Sequence, residues 1–423
     1  MTYGEAEAFL CSTAWKGSRL GLSRVAALLA ALGDPQKGLR TVHVAGTNGK
    51  GSVCALTASV LTAAGYRTGL FTSPCLRRVN EQLRVDGNDV SDGDFAALAA
   101  EVKPFAERIE DRPTQFELLT AMALLYFRER ACGAAVLEVG LGGALDATNV
   151  IPAPEAAVIC SIGLDHTAVL GGTLGEIAAQ KAGIVKPGAS VVLCAQSREA
   201  EEAVRARCRE CGCALRVTEP AALRPVSAAL SGQTFDYRTR TGLFIPLAGT
   251  YQLENAAVAL DALDALRDRG WRIPEDAVRG GLARAEWPAR FETLRREPPF
   301  LLDGAHNPAG AAQLAACLRR YLPGQKLVFL MGVMADKDVR GILRIMAPLA
   351  ERFVAVTPDN PRAMPSPELA ALIRSEFSLP AEDAGRAERG AALVLERYPE
   401  KPACAFGSLY QAGGIREFFG KYD

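Results

Sequence analysis

The chain has 423 residues, 49% of them hydrophobic, enough for two or three cored domains, because single cores stop growing near roughly 250–300 residues. Lysine plus arginine and aspartate plus glutamate number 48 each, so no global field draws in nucleic acid or an anionic membrane, and any anion site has to be assembled locally. No apolar run approaches the ~18 residues of a membrane span, and MTYGEAEAFLCSTAWKG puts acidic residues before a short apolar patch, unlike a secretory signal; a cytoplasmic protein is expected.

Eleven cysteines, odd in number and scattered, read as small buried hydrophobes of a reducing compartment rather than a disulfide framework. Their one cluster, CRECGC (Cys208, Cys211, Cys213), lacks a fourth ligand and a nearby histidine. It reads as helix-end packing rather than a zinc or redox site.

In chain order, TVHVAG (41–46), AAVLEVG (134–140), AAVICSIG (156–163) and ASVVLC (189–194) are short apolar runs, separated by longer helical stretches such as FELLTAMALLYFRERA (116–131). Continuous apolar strands alternating with helices are what a parallel sheet buried on both faces requires, so the chain is α/β. Residues 233–270 alternate with period two and then shift to helical spacing, which predicts a β-hairpin followed by a helix. Pro288, Pro298 and Pro299 interrupt AEWPARFETLRREPP (285–299), and a linker is expected over 288–299. From 300 the alternation restarts, each strand ending in a Gly or polar turn that opens a helix, as in a doubly wound sheet. The expected domains are therefore 1–287 and a smaller, Rossmann-like 300–423.

The turn after TVHVA is rich in glycine and carries a lysine, but it departs from the ordinary phosphate-loop rule: Val44 stands where the first Gly should be, and Gly51 separates Lys50 from Ser52. The physics survives the change. Glycines let backbone N–H groups converge, Lys50 adds charge, and SVCALTASVL supplies a helix N-terminus for an anion. Glu138 is informative for another reason: a carboxylate after AAVL would be buried unpaired, at a cost of several kcal/mol, unless a cation or donor meets it.

GTNGKGS (46–52) resembles the phosphate loop of the Mur ligase superfamily, and in particular its folylpolyglutamate synthase/dihydrofolate synthase branch of the bifunctional bacterial type. The resemblance continues in order through FTSPCLRRVNEQLRVDG, TQFELLTAMA, LEVGLGGALDATNVI, SIGLDHTAVLGGTLGEIAAQKAGIVKPG, GTYQLENAAVALDAL, WPARFE, DGAHNPAG and FGSLYQAG. It implies an N-terminal Mur-ligase-type P-loop ATPase domain with a parallel central sheet, and a C-terminal glutamate ligase domain. It implies ATP held by Asn48, Gly49, Lys50, Gly51 and Ser52, and by Asn255, Arg290 and Asp303. Two Mg²⁺ ions are implied, with Ser73, Glu138 and His166 as ligands and Lys181 carbamylated to position the second; Lys50, Glu138, His166 and Lys181 form the catalytic set. Read without the resemblance, a histidine such as His166 is more often a structural hydrogen bonder, and the competing reading of Lys181 is a surface lysine on a helix, as Lys186 is expected to be.

The pteridine-bearing substrate is implied near Thr114, Gln115, Phe116 and Glu117 and near Leu145, Asp146 and Ala147; Phe116 can stack on a heterocycle or serve as core. His306, Lys337 and Ser408 are implied to face the cleft and the glutamate, with solvated turns the competing reading, and Asn307 is equally a helix N-cap. Three positions depart from the family pattern: Cys75, Gln180 and Tyr251 stand where His, Glu and His are usual. The implied reaction joins L-glutamate to dihydropteroate, to reduced folate, or to both, at the expense of ATP, in a protein taken as a monomer without nucleic-acid or membrane partners. A cell-wall precursor ligase would need a further domain before Gly46, and a P-loop switch would need neither the second sheet nor the lysine of QKAG.

Overall fold

The computed structural model describes residues 1–14 and 19–421. Eight strands form the first sheet: β1 (Thr41–Ala45), β2 (Thr68–Phe71), β3 (Leu83–Val85), β4 (Asn88–Asp89), β5 (Ala134–Glu138), β6 (Ala156–Ile159), β7 (Ser190–Leu193) and β8 (Leu215–Val217), in the order β4-β3-β2-β5-β1-β6-β7-β8. From β2 to β8 across the sheet every pairing is parallel, while β3 and β4 add an antiparallel edge. Every residue of β1, β2, β5 and β6 is buried, as a sheet covered on both faces requires. One face packs under Leu118, Met122, Phe127, Phe95 and Leu28 of flanking helices; the other packs Ile159, Val191 and Leu193 against Val204 and Cys208.

The chain next forms a three-stranded sheet, β9 (Leu223–Ala229), β10 (Gly232–Tyr237) and β11 (Arg240–Ile245), with β10 central, followed by the helix Tyr251–Asp268. The last sheet comprises β12 (Glu292–Arg295), β13 (Phe300–Leu302), β14 (Leu327–Met331), β15 (Ala350–Val356), β16 (Ala381–Gly385) and β17 (Ala403–Phe406), in the order β12-β13-β17-β14-β15-β16. It is parallel except for β12, which runs antiparallel to β13. Part of the expected linker is thus an edge strand: Thr293 and Arg295 take places in a ladder that the prolines at 298 and 299 follow rather than interrupt.

Two compact units result, and they interleave along the sequence. The first comprises residues 1–224, 236–244 and 254–285; the second comprises 225–235, 245–253 and 286–423. The second has its own core, in which Leu301, Phe329, Met331, Phe353 and Phe406 meet Leu314, Leu318 and Ile342.

All eleven cysteines are free thiols. Cys208 lies buried in the first unit's core with Cys211 and Cys213 packed beside it at the end of the helix Arg198–Cys211, in keeping with helix-end packing. Among the described residues no helix is long and apolar enough to cross a membrane.

Candidate active site

In the first unit, β1, β2, β5 and β6 all end on one side of the sheet, the edge where open α/β sheets place ligands. After β1 the chain turns through Gly46–Gly49 into the helix Lys50–Ala63. A Cβ on Gly46 would lie 2.7 Å from the Cβ of Cys160, just past β6. Gly49 has φ 87°, a conformation that favours glycine, and a Cβ there would fall 2.3 Å from Asn255 Oδ1 and displace that side chain. The loop is tied to the segment after β6. Thr47 and Asn48 donate their N–H groups to the Ser161 carbonyl (2.8 and 3.3 Å), and the Thr47 hydroxyl donates to the Gly163 carbonyl (3.1 Å) while accepting from its N–H (3.0 Å). No side chain caps the helix Lys50–Ala63. Its first N–H groups therefore keep their partial positive charge for an anion.

Lys50 Nζ stands 4.0 Å from Glu138 Oε1, and Glu138 Oε2 accepts from the Ser73 N–H at 3.1 Å. The buried carboxylate that ends β5 is thereby partnered from β1 and β2, as its burial demands. Lys181, 3% exposed, lies in the last turn of the helix Leu174–Ala182 and donates from Nζ to the Gly46 carbonyl at 2.8 Å. Burial, and secondarily the charge of Lys50, hold its amine down to about 7. His166 is exposed, with φ 50°, at the start of the short helix Thr167–Leu170, its Nε2 4.0 Å from Asp165 Oδ1. The structure thus gathers Lys50, Ser73, Glu138 and Lys181 around the glycine loop, and sets His166 on the loop that Thr47 anchors. Among the described residues no three His, Cys, Asp or Glu side chains form a metal-binding group by themselves. The Ser73 and Glu138 oxygens are instead the kind of sparse, hard donor set that suits a cation keeping several waters.

The residues expected at the pteridine fall on two elements. Thr114 and Glu117 form a reciprocal capping box at the start of the helix Gln115–Glu129: Glu117 donates its N–H to Thr114 Oγ1 (3.3 Å) and accepts from Thr114 N–H through Oε2 (2.7 Å). Glu117 also receives Arg24 Nε at 3.0 and 3.1 Å in a buried pair. Gln115 and Phe116 are half-buried, the latter 5.7 Å from the Phe71 ring and filling the space a side chain on Gly140 would need. Leu145 is 46% exposed, whereas Asp146 and Ala147 are buried. Asp146 spends its carboxylate on Leu141 N–H (2.8 Å), Thr148 N–H (3.0 Å) and Thr148 Oγ1 (2.5 Å).

In the second unit Asp303, directly after β13, is a hub. Its Oδ2 accepts from the Tyr251 hydroxyl (2.6 Å) and Phe291 N–H (2.8 Å), and its Oδ1 from Ala305 N–H (2.8 Å). Burial raises both the Asp303 carboxyl and the Tyr251 phenol above their ordinary ranges. Arg290 donates to its neighbour's carbonyl, Ala289 O (2.9 Å), and occupies the space beside Gly304. His306 Nδ1 meets the Gly304 carbonyl at 2.8 Å. Asn307 caps the helix Pro308–Tyr321 by accepting from Gly310 N–H. Half-buried Lys337 follows β14, and buried Ser408 follows β17, accepting from Tyr410 N–H.

One expectation is overturned outright. Lys186 is not a surface lysine on a helix: the helix ends at Ala182, and the half-buried ammonium donates to the Asn149 and Ile151 carbonyls (2.7 and 2.5 Å), burial holding it down to about 8. The family resemblance also implied the pteridine-bearing substrate near RLGLSRV (19–25), which contains Arg24, and sequence reasoning passed over Thr47 and His43. The last was detectable, since an imidazole in the middle of an all-buried strand must find a partner.

Residues 44–263 match the Mur ligase middle domain, and residues 289–396 the Mur ligase glutamate ligase domain. Together with the glycine loop, its lysine and the second sheet, these matches define a Mur-type, ATP-dependent amino-acid ligase. The chain is 36% identical over 85% of its length to the dihydrofolate synthase/folylpolyglutamate synthase of Bacillus subtilis, covering 86% of that protein, and 34% identical over 99% to the folylpolyglutamate synthase of Lacticaseibacillus casei, covering 98%. It superposes on the Mycobacterium tuberculosis folylpolyglutamate synthase complexed with ADP with a TM-score of 0.90 at 31% identity, covering all of this chain and 98% of that one. The chain belongs to the folylpolyglutamate synthase/dihydrofolate synthase family.

Proposed function

We propose that the chain uses ATP to join L-glutamate to dihydropteroate, to reduced folate, or to both, through an acyl phosphate. The observation that carries this reading is the convergence of Lys50, Glu138, Ser73 and the Lys181 amine on one glycine loop at a helix N-terminus. A carboxylate oxygen is a poor leaving group, so an amide forms only after activation. With the γ-phosphate held by the loop N–H groups and Lys50, the substrate carboxylate attacks phosphorus in line, the bond to ADP breaks, and a mixed anhydride results. The neutral α-amine of glutamate then adds to the acyl carbon and phosphate leaves. Magnesium held by Ser73, Glu138 and His166, with carbamylated Lys181 for a second ion, would supply charge neutralisation on the phosphates. Asn255 reads the adenine edge and Arg290 a phosphate, while His306, Lys337 and Ser408 serve glutamate. Relatives support the substrate assignment: one solved complex, matching 99% of this chain at 33% identity, contains an ATP analogue and folate.

The test is phosphate release measured with dihydropteroate, with reduced folates, and with glutamate present or withheld. Turnover should require both acid and glutamate, and Lys50→Ala should lower it by at least about 10²-fold with the fold retained. Glutamate-independent turnover, or near-normal rates in Lys50→Ala, would overturn the reading.

A further inference from the structure

A buried polar chain runs from β1 to the loop after β5, and the reaction as described makes no use of it. His43, in the middle of β1, is fully buried, as are Thr148 and, at 3% exposure, Asp146. His43 Nε2 lies 2.8 Å from Thr148 Oγ1, and Thr148 Oγ1 lies 2.5 Å from Asp146 Oδ1. The directions are fixed by counting protons. An ionised carboxylate only accepts, so the single Thr148 hydroxyl proton goes to Asp146, and His43 must donate to the threonine through an Nε2–H. That leaves Nδ1 as a bare lone pair, which agrees with its being buried without a hydrogen-bond partner. Burial reinforces the neutral ring, depressing it to about 3.

At the far end, Asp146 gathers Leu141 N–H and Thr148 N–H as well. Both ends of the segment 141–148 thus close on one carboxylate, whose orientation is set by a side chain of β1. Three residues beyond His43, the same strand opens into Gly46 and the phosphate loop. Two further ties hold the segment down: Ala144 N–H donates to the Gln180 carbonyl (2.8 Å), next to Lys181, and Asn149 Nδ2 donates to the Ala144 and Gly183 carbonyls (3.0 and 3.2 Å). Leu145, at the crest, stays exposed.

We propose that His43, acting through Thr148 and Asp146, is a positioning residue that holds the 141–148 segment in register with the phosphate loop, so that the acceptor carboxylate meets the γ-phosphate. This rests on the assignment of that segment to the pteridine-bearing substrate. It differs from a direct substrate role for Asp146, whose oxygens are already engaged.

The experiment pairs steady-state kinetics with backbone hydrogen exchange on the full-length chain. Thr148→Val keeps shape and removes the relay, as does His43→Leu, whereas His43→Gln retains a donor near the Nε2 position. Thr148→Val and His43→Leu should each raise KM for the pteroate or folate substrate about tenfold, the equivalent of one buried hydrogen bond, while KM for ATP stays within about twofold. The double variant should be no worse than either single, because a broken chain cannot be broken twice. His43→Gln should recover most of the loss. Exchange should quicken at Leu141 and Thr148 and not in the helix Lys50–Ala63. Equal rises in both KM values, additive losses, or unaltered exchange at Leu141 would overturn the proposal. Faster exchange with an unchanged folate KM would also overturn it, since the brace would then serve something other than the acceptor. If the parent chain shows no folate-dependent turnover, the functional reading fails, and exchange at Leu141 and Thr148 still decides whether the brace exists.

Discussion

Two lysines five residues apart show how surroundings decide chemistry. The Lys186 ammonium has its donors directed at two carbonyls that pin the chain at 149–151, and that is a structural task. Lys181 is more deeply buried, faces the charge of Lys50, and is drawn down to about 7. Only an unprotonated amine reacts with CO₂: its lone pair attacks carbon, a proton leaves, and a carbamate anion remains. At pH 8 roughly nine-tenths of such an amine is neutral, at pH 6 roughly one-tenth. If carbamylation occurs, enzyme stripped of CO₂ at pH 6 should lose activity that bicarbonate restores, the bicarbonate needed should be about tenfold lower at pH 8, and native mass spectrometry should find one CO₂ adduct on Lys181. Full activity from unmodified enzyme in bicarbonate-free buffer would exclude it.

At the scale of elements, the helix Gln115–Glu129 raises a question that stability and kinetics answer separately. Its first turn is held by the Thr114–Glu117 box and by the buried pair with Arg24, whose guanidinium is held above its ordinary range first by the hydrogen bond it donates to Glu117. Glu117→Gln leaves Arg24 with the Arg19 carbonyl at 2.8 Å and, as its remaining anionic partner, Asp111 at 3.2 Å, itself half-exposed. Urea unfolding should report a loss of about 3–5 kcal/mol, against about 1 kcal/mol for Thr114→Ala, and Arg24→Met/Glu117→Met should recover part of the loss. Were Glu117 a substrate ligand, KM for the acceptor would move and stability would not. This helix also marks the limit of what a sequence displays. Apolar spacing announced the helix, and glycines with a lysine after TVHVA announced the loop, because both signals are local. That Glu117 faces Arg24, or His43 faces Thr148, depends on residues about a hundred positions apart brought together by the strand order β5-β1-β6, which periodicity does not encode. Asp146 shows the same limit from the other side: its block resembles a substrate loop, while the partners of its carboxylate, the Leu141 and Thr148 N–H groups and the Thr148 hydroxyl, are set by the folded loop and not by any local pattern.

At the scale of the whole molecule, the interleaving of the two units has a consequence for where the chain can be cut. Proline spacing suggested a boundary over 288–299, and the last segment of the second unit does begin near there, at 286. Residues 245–253, however, belong to that unit as well. Within it, Thr250 N–H donates to Cys317 Sγ (3.3 Å), Gly249 N–H to the Tyr321 hydroxyl (3.3 Å) and the Tyr251 hydroxyl to Asp303 (2.6 Å), while Ala248 shares a core with Phe291 and Leu301. A fragment of residues 1–285 would keep this segment and lose every one of those partners, exposing Ala248 and leaving a phenol whose acceptor is gone. Its melting temperature should fall at least about 5 °C below that of the full chain, given that 1 kcal/mol moves a domain of this size by roughly 2–4 °C. Residues 286–423 alone should be poorly soluble, because their core and the Asp303 hub lack what 245–253 supplies. Co-expression of the two fragments should restore solubility to both. Two fragments that each unfold cooperatively, with the first matching the parent, would show that 245–253 contributes little to the second unit and that a single crossing near 286 separates two independent folding units.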